Sequence, residues 1–126
     1  MKRANYIGAP HFFNLNQACL TLNQAFGFGH IYLVGSSIER RDFRDVDVRC
    51  ILPDEKFAQL FSGLTGDPTR NAFWSLLCSS ISLWLSQHSG LPVDFQIQQQ
   101  TVANAENNGP RHALGLFIDP EVSPRP

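Results

Sequence analysis

Residues 33–51 read LVGSSIERRDFRDVDVRCI, the end of one strand-like run, a charged turn and a second strand-like run. The first run, residues 30–34, is apolar and stops at Gly35-Ser36-Ser37. Residues 39–44 then make a charged turn, and from Asp45 to Leu52 polar and apolar residues alternate up to Cys50. A period of two puts Asp45, Asp47 and Arg49 on one face of this strand and Val46, Val48 and Cys50 on the other. Two carboxylates side by side on one face repel each other, and a fold gains nothing from that alone. A divalent cation would remove the cost. The pattern is that of a site.

Working outward, the expected elements are helices alternating with short strands. Upstream, residues 1–13 read as irregular, because Gly8 to Pro10 break any early element. Asn14 or Asn16 can cap a helix through about Phe26, with Leu15, Ala18, Cys19, Leu22 and Phe26 on one stripe and Gly27 and Gly29 ending it. Ser36 and Ser37 are good helix-start residues, so a short helical turn is expected after the first strand. Downstream, Pro53-Asp54 starts a helix over 54–63 with Phe57, Leu60 and Phe61 facing inward. Asp67 and Pro68 fit the N-cap and first position of the longest helix, 68–88. Its Phe73, Trp74, Leu77, Ile81, Trp84 and Leu85 form a broad apolar stripe of core residues, and its serines allow close packing against a sheet.

Gly90 stops that helix, and residues 93–98 form a third strand. Alternation sets its Val93, Phe95 and Ile97 against the core and Asp94, Gln96 and Gln98 on the opposite face. A short helical piece over 101–107 and an apolar patch over 113–118 precede a flexible tail, 119–126. The order predicts a single domain over 1–126 of the α/β (α+β) class, a small mixed sheet with helices packed on one face.

Bulk composition narrows the function without naming it. The chain has 126 residues, 43% hydrophobic and 17% charged, so it can bury one sizeable core and is not a disordered polymer. A net charge of −1 gives no overall attraction to nucleic acid or anionic membrane, so any phosphate affinity is local. Cys19, Cys50 and Cys78 form no CxxC pair and read as free buried thiols of a reducing compartment. No apolar run approaches a membrane span, and the basic first residues lack a following apolar segment, so a cytoplasmic location without membrane attachment is expected. The histidines share no ligand spacing.

Asp45, Asp47 and Asp94 on two strands are the pattern needed to hold divalent metals for phosphoryl transfer, and oxygen ligands favour Mg²⁺ or Mn²⁺. Gly35 lets a backbone approach a phosphate closely, and N–H groups with the Ser36 hydroxyl at a helix start can bind anionic oxygens. A Gly-Ser turn after one strand, an Asp-x-Asp opening the next and a later Asp on a third strand resemble the DNA polymerase beta superfamily of nucleotidyltransferases, most of all its minimal, free-standing members. The resemblance covers about residues 30–98. It implies a nucleotidyltransferase-like fold and nucleotidyl transfer from an NTP to a hydroxyl on a protein, an RNA end or a small molecule. It places NTP phosphates at Gly35, Ser36 and Ser37, metal at Asp45 and Asp47, and metal binding with activation of the attacking hydroxyl at Asp94. Arg40 and Arg41 then read as phosphate-neutralising cations beside the metal. Eight residues separate Ser36 from Asp45, fewer than is common in that family.

Three other readings use the same residues. Asp47 and Arg49 can be a solvated strand face paired by charge. The domain can be a non-catalytic nucleotidyltransferase-fold module acting through a protein partner. A metal-dependent nuclease would use the same carboxylates but lacks a Lys on the catalytic strands.

Overall fold

The structure is a computed structural model and describes residues 5–27, 29–64, 66–106 and 108–115. The alternating run becomes strand β2, Val46–Leu52, with Val46, Val48 and Cys50 fully buried and Asp47 and Arg49 half-buried. β1, Ile31–Val34, lies antiparallel to β2, and β3, Val93–Gln99, lies parallel to it on the other side. A fourth strand, β4, His112–Ala113, pairs antiparallel with β1 and completes the sheet in the order β3-β2-β1-β4. The sequence pattern predicts three strands. β4 has two residues and is too short to carry a period.

Helix α1, His11–Phe26, and helix α4, Ala72–Ser89, pack against each other and against the apolar sheet face formed by Ile31, Leu33, Val46, Val48, Cys50, Phe95 and Ile97. α1 begins earlier than the asparagine caps suggest. Its first turn closes through Phe12 N–H to Gly8 O and Asn14 N–H to Pro10 O, and His11 Nδ1 lies 2.9 Å from Ser89 O on α4. Asn16 and Asn23 instead face Leu114 and Gly115. Asn16 Oδ1 accepts the Gly115 N–H at 2.6 Å, and Asn23 Nδ2 donates to Leu114 O and Gly115 O at 2.7 and 2.9 Å. Gly115 lies so close to the α1 backbone at Cys19 that a Cβ there would collide with it.

The long helix also starts later than predicted. Asp67 caps only a 3-10 turn, Pro68–Arg70, through the Thr69 N–H. Asn71 then leaves helical geometry, with φ −91° and ψ 122°, and its side chain caps α4 through the Trp74 N–H at 2.8 Å. Rotation of the stripe leaves Phe73 52% exposed, whereas Trp74, Cys78 and Leu85 are buried. Leu77, Ile81 and Trp84 are partly buried against the core.

α4 covers the outer edge of β3 with a polar stripe at a spacing of four residues. Ser86 Oγ accepts the Val93 N–H at 3.0 Å and Ser82 Oγ accepts the Phe95 N–H at 2.8 Å. The Ile97 N–H lies 3.4 Å from Cys78 Sγ, and Trp74 Nε1 donates to Ile97 O at 2.8 Å. The edge groups that an unpaired strand would expose are therefore satisfied by one helix. Ser79 and Ser80 are exposed and take no part.

Three shorter helices complete the described chain: α2, Ser36–Glu39; α3, Asp54–Leu60, shorter than the 54–63 expected; and α5, Gln100–Glu106. Asp54 at the start of α3 accepts hydrogen bonds from the Thr101 N–H and Oγ1–H, which ties α3 to α5. The expected flexible tail, 119–126, and most of the 113–118 patch lie outside the described residues. The cysteines are free and buried, and desolvation pushes the Cys19 and Cys50 thiols up to about 12. Among the described residues no helix is long and apolar enough to cross a membrane.

Candidate functional site

The parallel register of β2 and β3 sets Asp47 directly opposite Asp94, on the sheet face away from the core. Arg49, two residues along the same face, lies between their carboxylates. Its Nη2 is 3.8 Å from Asp47 Oδ1 and 3.4 Å from Asp94 Oδ2, and its Nη1 donates to Asp94 O at 2.7 Å and Val48 O at 3.1 Å. The Arg49 side chain is 13% exposed, against 26% for Asp47 and 48% for Asp94. This is a half-enclosed ion pair, stronger than a surface bridge and still reached by water.

Burial pushes the Asp47 carboxyl above the ordinary carboxylate range; the charge on Arg49 opposes the shift, and those on Asp94 and Asp45 add to it. Asp45 is thus near enough for its charge to be felt, but it is exposed at the start of β2. Gly35 follows β1, whose Val34 pairs with Asp47. Its φ of +82° is one that glycine alone adopts readily, and a Cβ there would strike Asp47 Oδ2. The backbone of the Gly-Ser turn therefore lies against the Asp47 carboxylate.

The other sequence-derived candidates divide. Ser36 is half-buried at the first position of α2, whereas Ser37 is fully buried and its Oγ has no hydrogen-bond partner among the described residues. Arg40 pairs with Asp42 at 3.8 Å on the open surface and Arg41 is exposed. Among the described residues, the ion pairs on Asp47 and Asp94 come from Arg49 and not from these two arginines. Arg49 is the site residue that the sequence undervalues. Alternation puts it on the Asp47 face, but its second partner depends on the β2–β3 register.

Among the described residues, no group of three or more His, Cys, Asp or Glu side chains is arranged to hold a metal ion. The physical reason lies in the geometry: Arg49 takes the place between the in-register carboxylates, and Asp45 stands at the exposed lip. The donor chemistry itself, two oxygen-only ligands one strand apart with a third nearby, suits Mg²⁺ or Mn²⁺. Asp47 and Asp94 are the residues that would hold it, with Asp45 added.

Two clefts lie beside this face at β3. The smaller, about 180 Å³, is lined by Asp94, Gln96, Trp74 and serines of α4. The larger, about 360 Å³, is bounded by Phe57, Trp74, Gln96, Ile97, Gln98 and Val102. Trp74 and Gln96 line both. In comparisons with known proteins, no family model, no curated protein and no solved structure matches this chain.

Proposed function

We propose that this chain is a metal-dependent nucleotidyltransferase-like protein that moves a nucleoside monophosphate from an NTP to a hydroxyl acceptor. The observation that carries the reading is the register of Asp47 with Asp94, with the Gly35 backbone packed onto the Asp47 carboxylate. Acidic side chains at matched positions of adjacent parallel strands, beside a glycine turn, suit a bound cation and the phosphates it neutralises.

A bound Mg²⁺ would supply charge neutralisation and orientation of the triphosphate. The protein's own share is positional. The Gly35-Ser36 turn offers backbone N–H and hydroxyl groups to phosphate oxygens. Asp94, 48% exposed, is open to an acceptor and takes the proton of its hydroxyl. The acceptor oxygen bonds to the α-phosphorus, the bond from that phosphorus to the bridging oxygen breaks, and pyrophosphate leaves. Phosphoryl transfer needs little covalent help, so positioning and charge carry the rate. The acceptor is a hydroxyl of a protein, an RNA end or a small molecule.

The test is transfer of label from NTPs carrying it at the α-phosphate to candidate proteins and RNA, with metal present and absent. Asp94→Ala should abolish transfer and largely keep NTP binding; Asp47→Ala should weaken both. Metal-dependent labelling that survives both substitutions would rule the mechanism out.

The second reading, a non-catalytic module of the same fold acting through a protein partner, is favoured by one observation. Arg49 already neutralises Asp47 and Asp94, as a domain that has dispensed with the metal would require. Calorimetry of Mg²⁺-NTP on the wild type and Asp47→Ala separates the two: Asp47-dependent binding supports the enzyme, and none supports the module.

A further inference from the structure

We propose that the larger cleft over the C-terminal half of β3 is a nucleobase pocket, so that one nucleotide lies along β3 with its phosphates toward Asp94 and its base between α5 and the 3-10 turn. The proposal rests on the nucleotidyl-transfer reading for the phosphate end alone.

At about 360 Å³ the cleft falls in the range of small-molecule sites. Its walls are of two kinds. Val102, 45% exposed, and the small exposed parts of Phe57 and Trp74 give apolar surface, suited to the face of a heterocycle. Gln96 and Gln98 add side-chain amides, each with a donor and an acceptor side by side, the pattern found along the edge of a base.

Charge sets the direction of the ligand. Among the described residues, the ionisable ones lining this cleft are acids, Asp67 and Glu106, with no Lys or Arg among them. A phosphate placed here would meet repulsion without a counter-ion, whereas a neutral base would not. The phosphates then lie at the other end of the trough, where the cation of the proposed transfer site would sit on Asp47 and Asp94 and offset their charge. The smaller cleft provides that continuity, since it is lined by Asp94 and shares Trp74 and Gln96 with the larger one. Along a strand rising about 3.3 Å per residue, Gln98 is roughly 13 Å from Asp94, a distance that one extended nucleotide spans.

The walls are also fixed in place. Trp74 is held by its bond to Ile97 O, and the Asp54–Thr101 hydrogen bonds anchor α5, which carries Val102. A pocket held by several elements loses little freedom when filled.

The experiment is calorimetry on the full chain in Mg²⁺ with three probes: NTPs, the matching nucleosides and inorganic tripolyphosphate. The variants are Val102→Trp, which adds bulk at a position 45% exposed, and Gln98→Ala. The wild type should bind at least one NTP tenfold or more tighter than tripolyphosphate. Both variants should lose that advantage and keep tripolyphosphate affinity, with melting curves close to the wild type. NTP binding no tighter than tripolyphosphate, or unchanged in both variants, would overturn the pocket and leave the transfer reading standing. Nucleoside binding lost in Val102→Trp, with no gain from phosphates, would support the pocket and remove the transfer reading. Binding of none of the three probes would overturn both.

Discussion

At Asp47, burial and two neighbouring carboxylates oppose the negative charge, while Arg49 supports it. The folded pKa is raised, so folding takes up a proton there. The stability that this contributes is full below the ordinary Asp range and is lost as pH rises through the folded value. Asp47→Asn should therefore melt at or slightly above the wild type at neutral pH in chelator, and that gain should vanish as pH falls below the ordinary Asp range. The gain is small because Asp47 is partly solvated and Arg49 offsets much of the repulsion. A large fall in melting temperature would mean the carboxylate is structural. Arg49→Met should have the opposite sign. It leaves Asp47 and Asp94 facing each other unpaired, at a cost of about 1–3 kcal/mol, less than for a fully buried pair because Asp94 is half exposed. Added Mg²⁺ should raise the melting temperature of this variant more than that of the wild type, since the side chain competing for the carboxylates is gone. Equal response to Mg²⁺ would show that Arg49 and metal do not share those oxygens. Gly35→Ala combines positive-φ strain with a collision at Asp47 Oδ2, so a lower melting temperature is expected and, on the proposed function, loss of NTP binding with it.

Among the elements, α4 shows best why part of the molecule was legible and part was not. β2 and β3 were readable because each has one apolar and one polar face, a local property that a period of two reports. Trp74, Cys78, Ser82 and Ser86 stand at a spacing of four, but nothing in the sequence sets that stripe apart, because its purpose depends on a strand that follows it in the chain. Single-residue signals misled where tertiary contacts decided. Asn14 and Asn16 looked like caps, but Asn16 is used on Gly115, and Asp67 caps a turn that Asn71 interrupts. The Asp47–Asp94 pairing was legible as a shared face, whereas Arg49 between them needed the register. If α4 covers the edge of β3 by hydrogen bonds, Ser82→Ala should cost about 1–3 kcal/mol, because the Phe95 N–H loses its acceptor. Ser79→Ala, exposed one turn away, should stay within about 0.5 kcal/mol of the wild type. Denaturant unfolding of the two measures the contrast. Equal effects would mean the serines act only through helix propensity.

Across the whole molecule, the site exists because distant segments are brought to one sheet face: the turn after β1, the polar side of β2 and the polar side of β3. The sheet is closed on the β3 side by α4 and on the β1 side by β4. That second closure joins the two ends of the described chain. Asn5 Nδ2 meets His112 Nδ1 at 3.2 Å, Phe12 stacks near the same ring, and buried Leu114 donates its N–H to Ile31 O. Asn23 holds this corner through two carbonyls while its own Oδ1 has no partner among the described residues, an arrangement that costs stability unless the bonds made exceed the one unmade. Asn23→Ala should therefore destabilise by about 1–3 kcal/mol, since the Leu114 and Gly115 carbonyls lose their donor. The loss should also be local at first. Native-state hydrogen exchange should show the Leu114 amide and its β4 neighbours opening more often, while β2–β3 amides exchange as in the wild type. If Asp47 and Asp94 hold Mg²⁺-NTP as proposed, that affinity should survive in the variant below its melting temperature, because the carboxylate register is set by β2 and β3. A uniform rise in exchange over all four strands would instead mean that the β4 corner and the carboxylate face open as one unit.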